Sequence, residues 1–153
     1  MHPRPLSGLR VLDLTRVLAG PYCTLLLADL GAEVVKVERP GTGDDARAFG
    51  PFLENGQSAY FASINRGKKS IALDLKEGAD RETFLALIDR ADVLVENFRA
   101  GTMQKLDLSA ETLCRRNPRL IYASLSGFGH AGSHTDRAAY DVVVQALSGL
   151  MSI

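Results

Sequence analysis

The hydrophobic positions of the chain switch repeatedly between strand-like and helix-like spacing. Strand-like segments are predicted at residues 10–15, 33–38, 70–76, 92–96 and 120–125. Between them, apolar residues recur at helical spacing, as from Phe84 to Ala91. The first strand, helix and second strand fit within the roughly 30 residues of a βαβ unit, whose strands are parallel. The pattern therefore predicts an α/β fold with a doubly wound, mainly parallel sheet, in which ligands bind at the carboxyl ends of the strands.

Several residues mark the predicted limits of helices and loops. Pro21 suits the first turn of the first helix, Gly31 suits its end, and Ser109 suits the capping position of a later helix. Residues 39–58 are rich in Gly, Pro, Asp and Asn, which predicts a long connection. A short apolar patch, Tyr60–Phe61, is all that is predicted between this connection and the third strand.

The last predicted helix carries an apolar stripe on which the chain ends. The stripe consists of Tyr140, Val143, Val144, Leu147 and Met151. Natural domains usually end in polar residues or in a capped helix rather than within an apolar stripe. We therefore expect the sequence to be part of a longer one, whose further residues cover the stripe.

Composition and charge exclude several classes of protein. Hydrophobic residues make up 46% of the 153 residues and charged residues 24%, as in a globular domain. The 18 Lys and Arg balance the 18 Asp and Glu, so there is no overall basic field to attract nucleic acid or an anionic membrane. The two cysteines lack the spacing of a metal site, and no apolar run has the length of a membrane span. We expect a cytoplasmic protein without nucleic-acid or membrane partners.

Two nucleotide-binding motifs are present only in part. Gly41–Ala46 resembles part of GxGxxG but follows the second predicted strand, whereas a dinucleotide motif belongs in the first strand-to-helix turn. Arg66–Ser70 contains the Gly-Lys of a phosphate loop, but Ala62 stands where the first glycine of that loop belongs. An ATP site is unsupported, and an NAD-binding regulatory domain stays open only as an alternative.

Other chemically active residues have ordinary structural explanations. His130 and His134 are four residues apart but lie among glycines without a third ligand at suitable spacing, so no metal site is predicted. Cys23 lies on a predicted helix, where packing explains it better than catalysis does. Asp141 could be a catalytic carboxylate, a hydrogen-bond anchor or a helix cap, and capping is the interpretation we favour.

Collinear segments along nearly the whole chain resemble the family III CoA-transferases, also called the CaiB/BaiF family. The segments are Leu6–Pro21, Leu30–Asp44, Asn65–Leu75, Ala91–Arg99, Asn117–Gly129 and Ala139–Met151. The resemblance implies a Rossmann-like large domain, a smaller domain and two interlocked subunits. Residues 1–153 would be the N-terminal, CoA-binding part of the large domain, without the rest of that domain and without the small domain.

The resemblance also implies a reaction. Family members move CoA from an acyl-CoA donor to a carboxylic acid through covalent intermediates on an aspartate, a nucleophile that divides one difficult exchange into easier steps. That aspartate belongs to a Gly-Asp segment expected beyond residue 153, so no catalytic residue is assigned within this chain, which alone would be inactive. Coenzyme A, free or acylated, enters as substrate, and no metal is implied.

The residues that match the family's CoA contacts mostly follow predicted strands. They are Val17 and Leu18 through their backbones, Arg39, Leu73, Asn97, Phe98, Lys105 and Arg137. Lys105 stands where some members have Arg, which keeps the charge but loses the bidentate geometry. Some members have Lys at the position of Ala138, beside Arg137.

Two other functions remain open at this stage. α-Methylacyl-CoA racemases resemble this chain too, but they use a histidine as an acid and base where Tyr140 stands. The chain could also be a CoA-binding or oligomerising module without chemistry of its own.

Overall fold

The structure, a computed structural model, contains a five-stranded parallel sheet and describes residues 4–153. The strands are β1 (Arg10–Asp13), β2 (Glu33–Glu38), β3 (Lys69–Ala72), β4 (Val93–Glu96) and β5 (Ile121–Ser124). Their order across the sheet is β3-β2-β1-β4-β5, and each neighbouring pair is parallel. This is the order of a Rossmann-like fold, which confirms the predicted fold class. Residues 1–3, which the predicted domain includes, lie outside the described part.

Helices connect the strands and cover both faces of the sheet. They are α1 (Ala19–Asp29), α2 (Ala59–Asn65), α3 (Gly78–Ile88), α4 (Thr102–Lys105), α5 (Ala110–Arg116) and α6 (Asp141–Leu147), with 3₁₀-helices at Asp45–Ala48 and Leu150–Ser152. One apolar cluster joins Phe84 and Leu113 to Leu94 of β4, and a second joins Ala28 to Val95 on the opposite face. Adjacent residues of β4 therefore face different layers, as the two-residue period of a strand requires.

The predicted helix limits are confirmed by the backbone. Pro21 lies in the first turn of α1, and Gly31 follows that helix with a φ of 106°, a left-handed conformation that glycine adopts without strain. Ser109 precedes α5, and its hydroxyl accepts a hydrogen bond of 3.2 Å from the Thr112 amide.

Short elements differ from the prediction. α2 occupies the place of the apolar patch Tyr60–Phe61, and its cap is the Ser58 hydroxyl, which accepts a 3.0 Å hydrogen bond from the Phe61 amide. The 3₁₀-helix at Asp45–Ala48 lies inside the predicted connection, and α4 was not predicted. β3 begins and ends earlier than expected, and Leu73 just after it is buried. These elements are too short for hydrophobic periodicity to reveal.

The interpretation of Asp141 as a helix cap is wrong. Tyr140 occupies the capping position of α6, without a side-chain capping bond, and Asp141 is the first residue of the helix. The Asp141 carboxylate instead accepts a 2.5 Å hydrogen bond from the side-chain amide of Gln145.

Candidate functional site

A cleft of about 200 Å³ opens at the carboxyl ends of the central strands. Its lining comes from the last residues of β2 and from the segments that follow β1, β2 and β3, together with Phe98 after β4 and Thr102 and Leu106 of the α4 region. The strand order reverses between β1 and β4, and ligands of doubly wound sheets bind at such a reversal. Because the strands are parallel, their carboxyl ends lie at the same edge of the sheet, and residues far apart in sequence meet there.

The loop between β1 and α1 forms one rim of the cleft in an unusual backbone conformation. Val17 has a φ of 68°, a left-handed conformation that costs a β-branched residue roughly 1–2 kcal/mol. The Asn97 side chain holds the preceding residue from both sides, accepting from the Arg16 amide at 2.8 Å and donating to the Arg16 carbonyl at 2.9 Å. The Val17 amide donates to Asp44 Oδ1 at 3.1 Å. These contacts compensate for the cost of the conformation.

Buried charges support this loop from below. Lys36 Nζ donates to the Thr15 carbonyl at 2.7 Å and lies 2.9 Å from Asp44 Oδ2, an ion pair without hydrogen-bond alignment. The two side chains are only 2% and 1% exposed. Each charge is therefore compensated by the other, as burial of an ion requires.

Asp13, at the end of β1, is the centre of a second buried group. Its carboxylate accepts from the Thr15 amide at 2.8 Å, from the Thr24 hydroxyl at 2.6 Å and from Lys68 Nζ at 3.0 Å. Burial acts to raise the pKa of Asp13, but the charges of Lys36 and Lys68 and these hydrogen bonds outweigh it, so the pKa is lowered. Burial lowers the pKa of Lys68, against the opposing effect of Asp13. The carboxylate is thus held ionised beneath the loop.

Glu38, at the end of β2, anchors the segment that follows it. Arg47 donates to both of its carboxylate oxygens at 2.7 Å, and the Asp44 amide and the Ser70 hydroxyl also donate to it. The guanidinium of Arg47 lies 3.8 Å from the centroid of the Phe61 ring. Burial would raise the pKa of Glu38, but the hydrogen bonds from Arg47, Ser70 and Asp44 lower it to about 2.

The mouth of the cleft carries two arginines and one aspartate. Arg39 Nη2 lies 3.1 Å from Asp45 Oδ1, and Arg16 contacts Asp45 Oδ2. The Arg39 side chain is 57% exposed and that of Asp45 45%, so these charges are accessible to a ligand. The deeper ion pair of Lys36 and Asp44, in contrast, is buried.

The predicted CoA contacts fall into three groups. Arg39, Leu73 and Phe98 line the cleft, which brings together residues that follow three different strands. Val17 and Asn97 form and hold its rim, and Leu18 lies exposed at the start of α1. Lys105 and Arg137 are exposed and do not contribute to the lining. The roles of all these residues in binding remain predictions.

Sequence reasoning missed Arg16, Lys36, Asp44 and Asp45. Lys36 carries the clearest signal, because a single charge inside the apolar strand Glu33–Glu38 must be buried with a partner. The partner itself lies on another segment, so local spacing does not identify it.

Glu96, after which β4 ends, connects the cleft to β5. Its carboxylate accepts from the Phe98 amide at 2.7 Å and from the Ser124 hydroxyl, and His130 Nε2 lies 2.8 Å from the same hydroxyl. His134 instead lies edge-on to Phe128. The two histidines are thus engaged separately, and within residues 4–153 no three His, Cys, Asp or Glu side chains cluster as potential metal ligands.

A second, wider cavity of about 460 Å³ lies beside α2, lined by Arg47, Asn55–Ser58 and Phe61. Its lining comes only from the connection between β2 and β3, and its one charged residue already pairs with Glu38. The cleft at the strand ends is therefore the stronger candidate for a ligand site.

The fold is that of a doubly wound α/β domain, with a candidate ligand site in the cleft at the switch point of its sheet. The model of CoA-transferase family III matches residues 6–153, and the chain belongs to this family. Its similarity to known proteins extends to both sequence and structure.

Two curated relatives and one crystal structure illustrate the similarity. The chain is 55% identical to a succinyl-CoA:mesaconate CoA-transferase of Haloarcula hispanica, over 97% of this chain and 39% of that protein. It is 54% identical to an acetyl-CoA:oxalate CoA-transferase of Acetobacter aceti, over 96% and 38%. A CaiB/BaiF family protein from Brucella suis superimposes with a TM-score of 0.92 at 45% identity, over 99% of this chain and 41% of that one. The chain thus spans about two fifths of the length of these proteins.

Within the described residues, no helix combines the length and apolar character of a membrane span.

Proposed function

We propose that this chain is the CoA-binding N-terminal part of an enzyme that transfers CoA from an acyl-CoA donor to a carboxylic acid. The observation that carries the proposal is the cleft at the strand ends, with accessible arginines at its mouth and apolar walls inside. Membership of CoA-transferase family III and relatives named as CoA-transferases support it.

The cleft suits the two-sided chemistry of CoA. Arg39 offers a charged fork for a phosphate, whereas Leu73 and Phe98 offer apolar surface for the rest of the ligand. The backbone of Val17 and Leu18 would contact the ligand at the rim. The Val17 amide already donates to Asp44, and the Arg16 carbonyl already accepts from Asn97. The groups of that loop proposed to contact CoA are therefore the Val17 carbonyl and the Leu18 amide.

The chemical step is proposed to need residues outside this sequence. A nucleophilic aspartate beyond residue 153 would attack the thioester carbonyl, with CoA as the leaving group, and the remainder of the large domain and the small domain would complete the acyl pocket. We propose a homodimer, interlocked as the family resemblance implies, in the cytoplasm. Because the named acceptors of the two relatives, mesaconate and oxalate, are dicarboxylates, this class of acid is the first to test.

Calorimetry tests the binding part of the proposal. The chain should bind CoA, and Arg39→Ala should weaken binding about 10-fold through loss of a charged contact to phosphate. Arg119→Ala is the matched control, because Arg119 is also an exposed arginine but does not line the cleft. Binding of NAD without CoA, or equal CoA affinity in Arg39→Ala and Arg119→Ala, would contradict the assignment.

An exchange assay tests the reaction. The 153-residue chain should be inactive, whereas a protein extended by the gene sequence beyond codon 153 should move CoA from succinyl-CoA or acetyl-CoA to a dicarboxylate, detected by mass spectrometry. Deuterium exchange at the α-carbon of a branched acyl-CoA, without CoA transfer, would favour the racemase instead. A stop codon directly after residue 153 would leave only the binding module.

A further inference from the structure

The acidic residue between the two arginines at the cleft mouth has no evident structural role of its own. The 3₁₀-helix that begins at Asp45 is capped by Asp44, whose carboxylate accepts from the Ala46 amide at 3.0 Å. Among the described residues, the hydrogen-bond partners of the Asp45 carboxylate are Arg16 and Arg39 alone. The carboxylate therefore serves these two guanidinium groups rather than the fold of its own segment.

The geometry of this contact is that of a bound anion. Arg16 contacts one carboxylate oxygen and Arg39 the other, so a single acidic group bridges two forks, as a phosphate between two arginines would. Two positive charges face one negative charge. Arg16 Nε, in addition, is buried without a hydrogen-bond partner among the described residues, so the donors outnumber what the carboxylate satisfies.

The contact is also easily exchanged. Asp45 and Arg39 are 45% and 57% exposed, and ion pairs at such positions contribute little to stability because water and salt screen them. A phosphate carries more charge and more acceptor oxygens than a carboxylate, so it can replace Asp45 at little cost. The buried pair of Lys36 and Asp44, directly behind, would stay in place.

We propose that Asp45 is an internal competitor for a phosphate group of CoA: in the free protein its carboxylate occupies the anion position between Arg16 and Arg39, and CoA binds by displacing it. This inference rests on the CoA-binding function proposed above and adds Arg16 as a phosphate-binding residue and Asp45 as a residue that lowers affinity. It predicts that removal of a negative charge beside the cleft strengthens binding.

The test is calorimetric titration of the chain and its variants with CoA and with 3′-dephospho-CoA. Asp45→Asn should bind CoA about 3- to 10-fold more tightly than the unaltered chain, the range expected for loss of exposed ion pairs. Glu82→Gln, which removes the same charge from the exposed surface of α3, should leave the affinity unchanged. The double variant Arg16→Gln/Asp45→Asn should bind CoA no more tightly than the unaltered chain does. A gain that is lost with 3′-dephospho-CoA assigns the site to the 3′-phosphate, and a gain that persists assigns it to the diphosphate.

Three results would overturn the inference. An affinity of Asp45→Asn equal to or below that of the unaltered chain would mean that Asp45 positions the arginines instead of competing. A gain that persists in the double variant would mean that Arg16 is not the phosphate ligand. Failure of the unaltered chain, Glu82→Gln and Asp45→Asn alike to bind CoA would remove the proposed function as well. The thermal midpoints of the variants show whether they fold. If the thermal midpoint of Asp45→Asn is well below that of the unaltered chain, Asp45→Ser replaces it in the same CoA titrations.

Discussion

Two regions of the molecule depart from ordinary burial in opposite ways. One is the floor of the cleft, formed by the buried ion pair of Lys36 and Asp44 and the neighbouring pair of Asp13 and Lys68. The other is the C-terminal segment, residues 140–153. At the floor, charged side chains are buried, and that of Lys36 is only 2% exposed. In the C-terminal segment, apolar side chains are exposed, with Val142 at 58% and Leu147 at 57%. Both regions depart from the usual rule that charges lie outside and apolar groups inside.

The two regions differ in whether their side chains have partners among the described residues. The buried charges meet their partners there, because Lys36 faces Asp44 and Lys68 faces Asp13. α6 has the apolar stripe of a packed helix, yet it has no buried residue. An apolar stripe therefore shows which face of a helix is suited to packing. The stripe becomes part of a core only where another surface packs against it. That further residues cover α6 stays a prediction.

The sharpest way to break the floor of the cleft is to remove one buried charge. Lys36→Met keeps the length of the side chain but leaves Asp44 buried without its counter-ion. We expect the free energy of unfolding to fall by about 3–5 kcal/mol, measured by urea denaturation at neutral pH. Lys69→Met is the matched control on the neighbouring strand, because Lys69 pairs with Glu33 at the surface and should contribute no more than about 1 kcal/mol. Equal losses in the two variants would show that the Lys36 pair is not isolated from water.

Acid should weaken the same region through Glu38. Its pKa in the folded protein is about 2, below the ordinary value of 4.5, so ionised Glu38 stabilises the fold above about pH 4.5. This stability is lost as the pH falls from about 4.5 towards 2. We expect about 2 kcal/mol, reduced from the full effect of the shift because Arg47 is 40% exposed.

Urea titrations at several pH values measure this contribution. Glu38→Gln should lack this contribution already at neutral pH, so its free energy of unfolding should fall less steeply with acid. Glu82→Gln should show the same pH dependence as the unaltered chain. Identical acid profiles for Glu38→Gln and the unaltered chain would contradict the role given to the Glu38 and Arg47 pair.

Two asparagines separate stability from ligand binding. Asn97 holds both sides of Arg16 at the cleft, and Asn117 donates to the carbonyls of Ile88 and Ala91 at 2.8 and 2.9 Å, near the start of β5. Replacing either by Ala should cost about 1–2 kcal/mol, because backbone groups lose their partners. Only Asn97→Ala should also weaken CoA binding in calorimetry, since only that change releases the Val17 loop. Equal CoA affinities in the two variants would remove Asn97 from the site.

The sequence predicted long-range architecture better than it predicted short elements or buried pairs. The strands and α3 follow from apolar spacing, and α1 and α5 follow from the residues at their ends. The meeting of Arg39, Leu73 and Phe98 follows from parallel topology. α2 depends on its Ser58 cap, a single residue that periodicity does not register. The pairing of Lys36 with Asp44 depends on how two segments fold back on each other, which no local pattern contains.

The smallest effect is expected at the exposed stripe. Leu147→Gln should change the free energy of unfolding by no more than about 0.5 kcal/mol, because Leu147 is 57% exposed and loses little contact. The matched control is Leu113→Gln, at a leucine of α5 that is 0% exposed, which should cost several times as much because a polar amide enters the core. Binding of a hydrophobic dye should fall in Leu147→Gln. A loss above about 1 kcal/mol at Leu147 would mean that α6 is packed in solution, and the contrast between the two regions would then disappear.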